Sequence, residues 1–316
     1  MVVPDLPPLP LPASTYISKE VVLAKRGSGS GEIGIQETHE EPWGPPSFTA
    51  DANGNVYVLD LVNSRVNKYD DQGRFVSSFA FDKNIRAIDI AVWKDGSVFL
   101  ADEAAHKDSP SEPYYQAVHK FDPSGKLLLT YRWYDVSDIL SVRIDASGGV
   151  WAGAISVLAL TTTQLGTVDV PYDREQVAAG EKPGFVCRSG VITNRYGTSP
   201  DRKKGVVDAT LNGKALQLQL PAHPNAEATF AGSTPVDTDA SGRIYQNLTY
   251  FFPGDVSDFR ILVYDSSGAL LDQVAIPRIP DYATPRHGYQ VDEQGRVYDM
   301  IPLKDGVKII RWEKPS

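Results

Sequence analysis

The chain has 316 residues, with 31 Lys and Arg against 40 Asp and Glu and a formal net charge of −9. Its hydrophobic fraction of 41% is typical of a soluble globular protein. The acidic balance and the lack of a dense basic cluster argue against a nucleic-acid partner. The sequence has no apolar run of about 18 residues, the length that a transmembrane helix needs.

The N-terminal segment, residues 1–14, has the sequence MVVPDLPPLPLPAS and lacks the basic and apolar regions of an intact secretory signal. Its prolines predict a stiff polyproline-type spacer, which we interpret as a tether. A tether favours an extracytoplasmic location, in the periplasm or at the cell envelope; a disordered tail on a cytoplasmic protein is the alternative. Cys187 is the single cysteine, which excludes an internal disulfide, and we predict it to be inert core.

One pattern recurs along the chain: an alternating apolar run, a turn that ends in Gly, and a second alternating run with an aromatic residue. Asp or Asn stabilises such a turn through its side chain, and Gly supplies the positive φ. Because period-two alternation buries one face of a strand, each copy predicts a β-hairpin. The six turn glycines, of which the fourth lies in a degenerate copy, are Gly54, Gly96, Gly148, Gly190, Gly242 and Gly295.

A second turn of the same kind follows each of the first five copies, so every unit holds four strands, named A to D from the inside outward. Four-stranded units that recur every 42 to 53 residues are typical of β-propeller blades. The sequence therefore predicts an all-β, six-bladed β-propeller that forms one domain over residues 15–316. A pair of β-sandwiches is the alternative. The second turns contain Gly73, Gly125, Gly166, Gly213 and Gly268.

The two ends of the chain are predicted to complete the same blade. After Gly295 there is room for strands B and C only, so the sixth blade lacks its outer strand. Residues 15–25, TYISKEVVLAK, alternate as a strand and precede the first blade. We therefore expect the N-terminal strand to complete the C-terminal blade and close the ring. A ring without a free sheet edge predicts a monomer.

The first repeat, residues 27–79, resembles an NHL repeat, a motif of six-bladed β-propellers. It has a Gly-rich entry, a Pro before strand A, then Asp-x-x-Gly-x-x-Tyr-Val-x-Asp, and Asn-x-Arg-Val before strand C. The resemblance implies that Asp60, Asn63 and Arg65 are structural and bridge the corner between strands B and C.

Alternating strand directions place the A–B and C–D turns on one side of the ring, here the turn face, and the B–C and D–A connections on the other, here the loop face. The B–C connections of blades 2 and 5, residues 103–116 and 248–259, are long and aromatic. Long loops on a rigid scaffold commonly carry recognition. We predict binding anchors there, with packing at the loop bases as the alternative; they are Tyr114, Tyr115, Phe251 and Phe252.

The mouth of the central channel is expected on the loop face, lined by the starts of the A strands. Charges of both signs converge there, which indicates a site for a polar ligand. A water-filled funnel of self-neutralising ion pairs is the alternative. The predicted mouth residues are Arg86, Asp89, Asp138, Arg286 and His287.

Signals for catalysis are weak. The sequence contains no nucleophile elbow, P-loop, HExxH motif or dinucleotide fingerprint. Gluconolactonase-type propellers are similar in architecture, and that similarity implies a Glu, Asn and Asp set around a divalent cation, whereas the strand starts here carry Pro46, Ser47, Asp89 and His287. Similarity to the streptogramin lyases implies several catalytic histidines, of which only His287 is placed on an inner strand.

We therefore predict a non-catalytic recognition or scaffold propeller that binds a protein, peptide or glycan through its loop face and needs no cofactor. The alternative is a metal-assisted lyase or hydrolase at the channel mouth, in which Asp89, Asp138 and His287 act as metal ligands or acid–base groups.

Overall fold

The computed structural model describes residues 9–39, 41–134, 139–156, 159–172, 181–254, 256–277, 283, 285 and 287–315. The strands of this part of the chain assemble into six four-stranded antiparallel sheets. These sheets are the blades of a six-bladed β-propeller, so the predicted fold class is confirmed. Across the same ranges, no helix is long and apolar enough to cross a membrane.

In each of blades 1 to 5 the strands A to D follow one another along the sequence. Blade 1 contains β2 (Phe48–Ala50), β3 (Val56–Asp60), β4 (Arg65–Tyr69) and β5 (Phe75–Ala80). Blade 2 contains β6 (Ala87–Val92), β7 (Val98–His106), β8 (Tyr115–Phe121) and β9 (Leu127–Trp133). Blade 3 contains β10 (Ile139–Ile144), β11 (Gly149–Ser156), β12 (Ala159–Thr167) and β13 (Glu181–Pro183).

The second half of the ring follows the same plan until its last strand. Blade 4 contains β14 (Phe185–Cys187), β15 (Gly190–Thr198), β16 (Gly205–Leu211) and β17 (Lys214–Leu220). Blade 5 contains β18 (Thr229–Thr238), β19 (Ile244–Phe252), β20 (Val256–Tyr264) and β21 (Leu270–Ile276). Blade 6 contains β22 (Tyr289–Val291), β23 (Val297–Leu303) and β24 (Gly306–Glu313), with β1 (Ile17–Lys25) as its outer strand.

The Asp-x-x-Gly turns connect strands as the sequence predicts. The second turn predicted at Gly166 of blade 3 is wrong, because Gly166 lies within β12 and the outer strand of that blade is β13. In the A–B turn of blade 1, Asp51 Oδ1 accepts hydrogen bonds from the backbone N–H groups of Asn53 and Asn55. Gly54 in the same turn has a φ of 83°, a conformation that a side chain would strain. The carboxylate therefore holds the turn while the glycine allows it to close.

Ring closure occurs as predicted from the two chain ends. β1 pairs antiparallel with β24, from Ile17 opposite Glu313 to Lys25 opposite Gly306. Just before β1, Thr15 donates its N–H to Asp272 Oδ1 of blade 5 at 3.1 Å. The N-terminal strand thus covers the free edge of blade 6 and is also fixed to the neighbouring blade.

Part of the predicted tether lies against the ring. Leu9 O accepts a hydrogen bond from Ala222 N at 2.8 Å, and Leu11 packs against the core between blades 4 and 5. Pro12 O accepts a hydrogen bond from Gln273 Nε2 of blade 5 at 2.7 Å. The backbone from residue 9 onward is therefore in contact with the propeller.

Apolar clusters fill five of the six interfaces between neighbouring blades. The interface between blades 3 and 4 is different: among the described residues no such cluster joins them, and a cleft opens there. Its walls come from β10, β11 and β12 on one side and from Gly184, Phe185 and Val186 on the other. The blades are thus held together by side-chain packing except where this cleft opens.

Candidate functional site

The four predicted aromatic anchors of the loop face divide into two pairs. Tyr114 and Phe251 are 63% and 49% exposed, and Lys107 Nζ lies 4.7 Å above the Tyr114 ring. Tyr115 instead donates its hydroxyl to Asp108 at 2.9 Å, and Phe252 packs edge-on against His223. Tyr114 and Phe251 are therefore available to a partner, whereas the other two rings pack at the bases of their loops.

A further aromatic residue of the loop face was missed by the sequence analysis. Trp43 is 57% exposed and lies in the connection between β1 and β2, where its backbone pairs with Gln36. The connection lies within the first repeat but outside its strands and Asp-x-x-Gly turns, so no periodic signal marks it. Trp43, Tyr114 and Phe251 belong to different blades, and blades 2 and 5 lie opposite each other in a ring of six. The exposed rings are thus spaced around the channel mouth.

Asp89 joins three blades at the wall of the channel. Its Oδ1 accepts the Ser47 hydroxyl at 2.5 Å. Its Oδ2 accepts the Val142 N–H at 3.0 Å and Arg143 Nη1 at 2.7 Å. Asp89 is fully buried, yet protein donors surround both of its oxygens. A folded protein tolerates a buried charge that is paired and hydrogen-bonded, and Asp89 meets both conditions.

The ionised form of Asp89 is favoured by its surroundings. Burial alone would raise its pKa, but the positive charges of His287 and Arg143 oppose that effect, and the Ser47 and Val142 hydrogen bonds add to them. The pKa of Asp89 is therefore held below its ordinary value. This carboxylate is negatively charged at neutral pH.

His287 reaches the same wall from blade 6. Its Nε2 lies 2.8 Å from Leu140 O and 3.8 Å from Asp89 Oδ2. Because a carbonyl oxygen can only accept, Nε2 carries the proton in this contact. Asp89 and His287 are thus brought together as the sequence analysis expected of mouth residues, and Ser47 and Arg143 complete the cluster.

Of the other three predicted mouth residues, only Arg86 is described, and it lies outside this cluster. The Arg86 side chain is 65% exposed and pairs with Glu103 at 2.9 Å, beside the B–C corner of blade 2. Asp138 and Arg286 lie outside the described residues.

A second concavity opens on the turn face, although the connections there are short. This pocket is lined by residues of all six blades. At its wall Arg188 Nη1 contacts Glu293 Oε1 at 3.1 Å, and Asp237 Oδ1 accepts the backbone N–H of Arg188 at 2.7 Å. Burial raises the pKa of Asp237 despite the nearby Arg188 charge. Gln290 Nε2, which is buried, has no hydrogen-bond partner within the described ranges.

Cys187 lies beside this wall and is 1% exposed. Burial raises the pKa of its thiol well above the ordinary value, and the Asp237 carboxylate adds to the effect. A thiol that stays protonated is a poor nucleophile. Cys187 therefore packs as a small apolar residue of the core.

No family model and no curated protein matches this chain. Solved structures similar to it include a member of the DUF4221 family from Bacteroides vulgatus, with a TM-score of 0.47 and 9% identity over 98% of this chain and 96% of that one. A streptogramin B lyase has a TM-score of 0.45 and 13% identity over 94% and 98% of the two chains. A luciferin-regenerating enzyme has a TM-score of 0.43 and 16% identity over 94% and 95%. The six-bladed architecture rests on the strand pairing itself, and these likenesses assign no activity to the chain.

Proposed function

We propose that this protein is a recognition propeller that binds a protein, peptide or glycan through its loop face. The observation that carries the proposal is the exposure of three aromatic side chains at that one face. Trp43 and Tyr114 lie on connections, and Phe251 lies near the end of β19 rather than on the long B–C connection that the sequence predicts for blade 5. Aromatic rings supply large contact areas at low cost in conformational entropy, which is why they dominate binding energies at interfaces.

The spacing of these rings constrains the partner. Because Tyr114 and Phe251 stand on opposite blades, a ligand that touches both must extend across the channel mouth. A folded protein surface, an extended peptide or an oligosaccharide has the required length, whereas a small metabolite does not. The blades beneath the rings are held by packed interfaces, so the anchors are presented on a rigid support.

The test is a triple substitution of Trp43, Tyr114 and Phe251 by Ala. Binders are first selected for the unchanged protein from a displayed peptide library and from a glycan array. We expect the triple variant to lose at least about tenfold in affinity for the selected binders, since Trp and Tyr are enriched among the interface residues whose truncation costs about 2 kcal/mol or more, and about 1.4 kcal/mol is tenfold.

The matched control removes three exposed apolar side chains that lie on outer strands, by Leu127→Ala, Leu128→Ala and Leu271→Ala. This control should bind as the unchanged protein does. Two results would show that recognition lies elsewhere. In one, the selected binders keep their affinity for the aromatic triple variant; in the other, they lose as much affinity for the leucine control as for that variant.

The extracytoplasmic location, the monomeric state and the relation to NHL repeats are further parts of this proposal. The Pro-rich segment supports the first, the covered edge of blade 6 supports the second, and the Asp60 corner of blade 1 supports the third. In that corner Asp60 Oδ2 accepts Asn63 Nδ2 at 2.7 Å and Arg65 Nε at 2.9 Å.

A lyase or hydrolase at the channel mouth has less support. Such a mechanism needs Asp89 to coordinate a metal or accept a proton, yet four protein groups already surround its two oxygens. The arrangement instead suits a structural anchor that joins blades. Among the described residues, the mouth holds no assembled acid–base pair beyond Asp89 and His287.

A second binding function is favoured by the cleft between blades 3 and 4. Its walls are mainly apolar, and Arg143 and His287 lie at its inner end. Apolar walls with a few converging polar groups are typical of small-ligand sites. We infer that the cleft accepts a small organic acid, with its apolar body between the blades and its anionic group toward Arg143 and His287.

This second function predicts ligands that raise the melting temperature in a screen of aromatic carboxylates. His287→Ala should abolish the stabilisation by such ligands. The control is His223→Ala, which changes a histidine on the connection between blades 4 and 5 and should leave the stabilisation unchanged. Ligands whose effect survives His287→Ala would exclude this site.

A further inference from the structure

Three side chains with metal-ligating atoms meet at the B–C corner of blade 2, away from the channel cluster. Asp102 and His106 lie on β7, and His119 lies opposite on β8. Asp102 Oδ2 is 2.7 Å from His106 Nε2 and 3.2 Å from His119 Nε2, and the three atoms lie within 4.8 Å of one another. Two imidazole nitrogens and one carboxylate oxygen therefore face a common point.

The corresponding corner of blade 1 serves as a comparison, because its buried aspartate pairs with a permanent cation. Asp60 and Asp102 are each the fifth residue of strand B in their blades, and in blade 1 the guanidinium of Arg65 pairs with Asp60 Oδ2 at 2.9 Å. In blade 2 two imidazoles stand in place of that cation. A neutral imidazole brings no positive charge, so the buried Asp102 carboxylate lacks the permanent counter-charge that Asp60 has.

The outer contacts of this cluster fix its ligand atoms. Asp102 Oδ1 accepts the backbone N–H groups of Arg86 and Ala104, both at 2.9 Å, which leaves Oδ2 directed at the histidines. His119 Nδ1 lies 3.1 Å from Thr130 Oγ1, a contact that turns Nε2 toward Asp102. Outer hydrogen bonds of this kind orient histidine and carboxylate ligands in known metal sites.

We propose that Asp102, His106 and His119 bind a divalent first-row transition metal of the Zn²⁺ class. Ligand atoms around such an ion, with bonds of about 2.1 Å, lie roughly 3.0 to 3.4 Å apart, so a small outward movement of the imidazoles admits the metal. His106 is 28% exposed at its side chain, which gives solvent access to the remaining coordination position. Two imidazoles and one carboxylate suit these ions better than Mg²⁺ or Ca²⁺, which prefer oxygen ligands.

The proposal is tested on the full chain with Zn²⁺ and Co²⁺. After incubation with Zn²⁺ and desalting, we expect one zinc per protein by mass spectrometry of the metal. Competition with a chromophoric chelator should show at least about a 100-fold loss of Zn²⁺ affinity in both His106→Gln and His119→Gln, because removal of an outer contact alone costs 10–100-fold. Bound Co²⁺ should give a d–d absorption band that His106→Gln abolishes.

The chain offers a matched control in blade 5. His223 Nε2 lies 2.9 Å from Asp258 Oδ2, so it has the same His–Asp contact without a second imidazole, and His223→Gln should keep full metal binding. Thr130→Val, which leaves all three ligands in place, should lower the affinity by about tenfold. Zinc that does not bind, or that binds equally to the His106 and His119 variants while their melting temperatures are unchanged, would overturn the proposal.

Discussion

Val22→Asp is expected to lower the free energy of unfolding by roughly 4 kcal/mol or more, because it places an unpaired charge in a core. Val22 lies on β1 and is 1% exposed, in the cluster that joins blades 6 and 1. Its neighbour Leu23 is 65% exposed on the same strand. Leu23→Asp should therefore change the stability by less than about 0.5 kcal/mol.

This pair of variants measures the contribution of ring closure, since both substitutions add the same charge to the same strand. Urea denaturation followed by fluorescence and circular dichroism gives the two free energies. A Val22→Asp protein as stable as Leu23→Asp would mean that β1 does not pack on blade 6 in solution. Loss of β1 packing would also expose the edge of β24, so we expect the Val22 variant to aggregate at high concentration.

Asp89→Asn is expected to destabilise the protein by about 3 kcal/mol at neutral pH. The substitution keeps the shape of the side chain but removes the counter-charge of Arg143, whose side chain is 15% exposed. Loss of one partner from a buried ion pair costs about 3 to 5 kcal/mol, since the other charge is left uncompensated. One of the amide atoms would also face donors, namely the Val142 N–H and the Arg143 guanidinium.

The effect should depend on pH in a defined direction. The pKa of Asp89 is lowered in the folded protein, so its stabilising contribution is present above the pKa of the unfolded chain, about 3.9. The contribution is lost as the pH falls through the folded value. The difference in stability between the unchanged protein and Asp89→Asn should therefore be largest near neutrality and should shrink below about pH 4.

Urea denaturation at a series of pH values checks this dependence. Asp305→Asn is the control, because Asp305 is exposed in the turn between β23 and β24. That variant should track the unchanged protein at every pH. A difference for Asp89→Asn that stays constant as the pH falls would show that Asp89 does not act through its charge.

Local chemistry in the sequence was sufficient to predict the architecture. The turn at Asp51 and Gly54 forms from contacts within five residues, and the same contacts recur at the other Asp-x-x-Gly turns. Once the turns and the alternation define four strands per unit, the number of blades follows by counting. The pairing of β1 with β24 was predictable too, because an incomplete last blade and a surplus first strand complement each other.

The candidate sites were predictable only in part. Asp89 and His287 were placed at the channel from their positions in the A strands, but Ser47 and Arg143 were not assigned to the same cluster. No role was assigned to His106 or His119 from the sequence. Their meeting with Asp102 depends on the register between β7 and β8, which shifts between Asp102 and His106.

The Asp-x-x-Gly turns, the six blades and the closing strand follow from the amino-acid sequence, because each depends on neighbouring residues or on a repeat that can be counted. Tertiary structure alone decided which side chains share the channel wall, the cleft between blades 3 and 4, and the histidine corner of blade 2. The contacts of the channel wall and the cleft join residues far apart in the chain and depend on how one blade packs on the next, whereas the histidine corner depends on the register between β7 and β8.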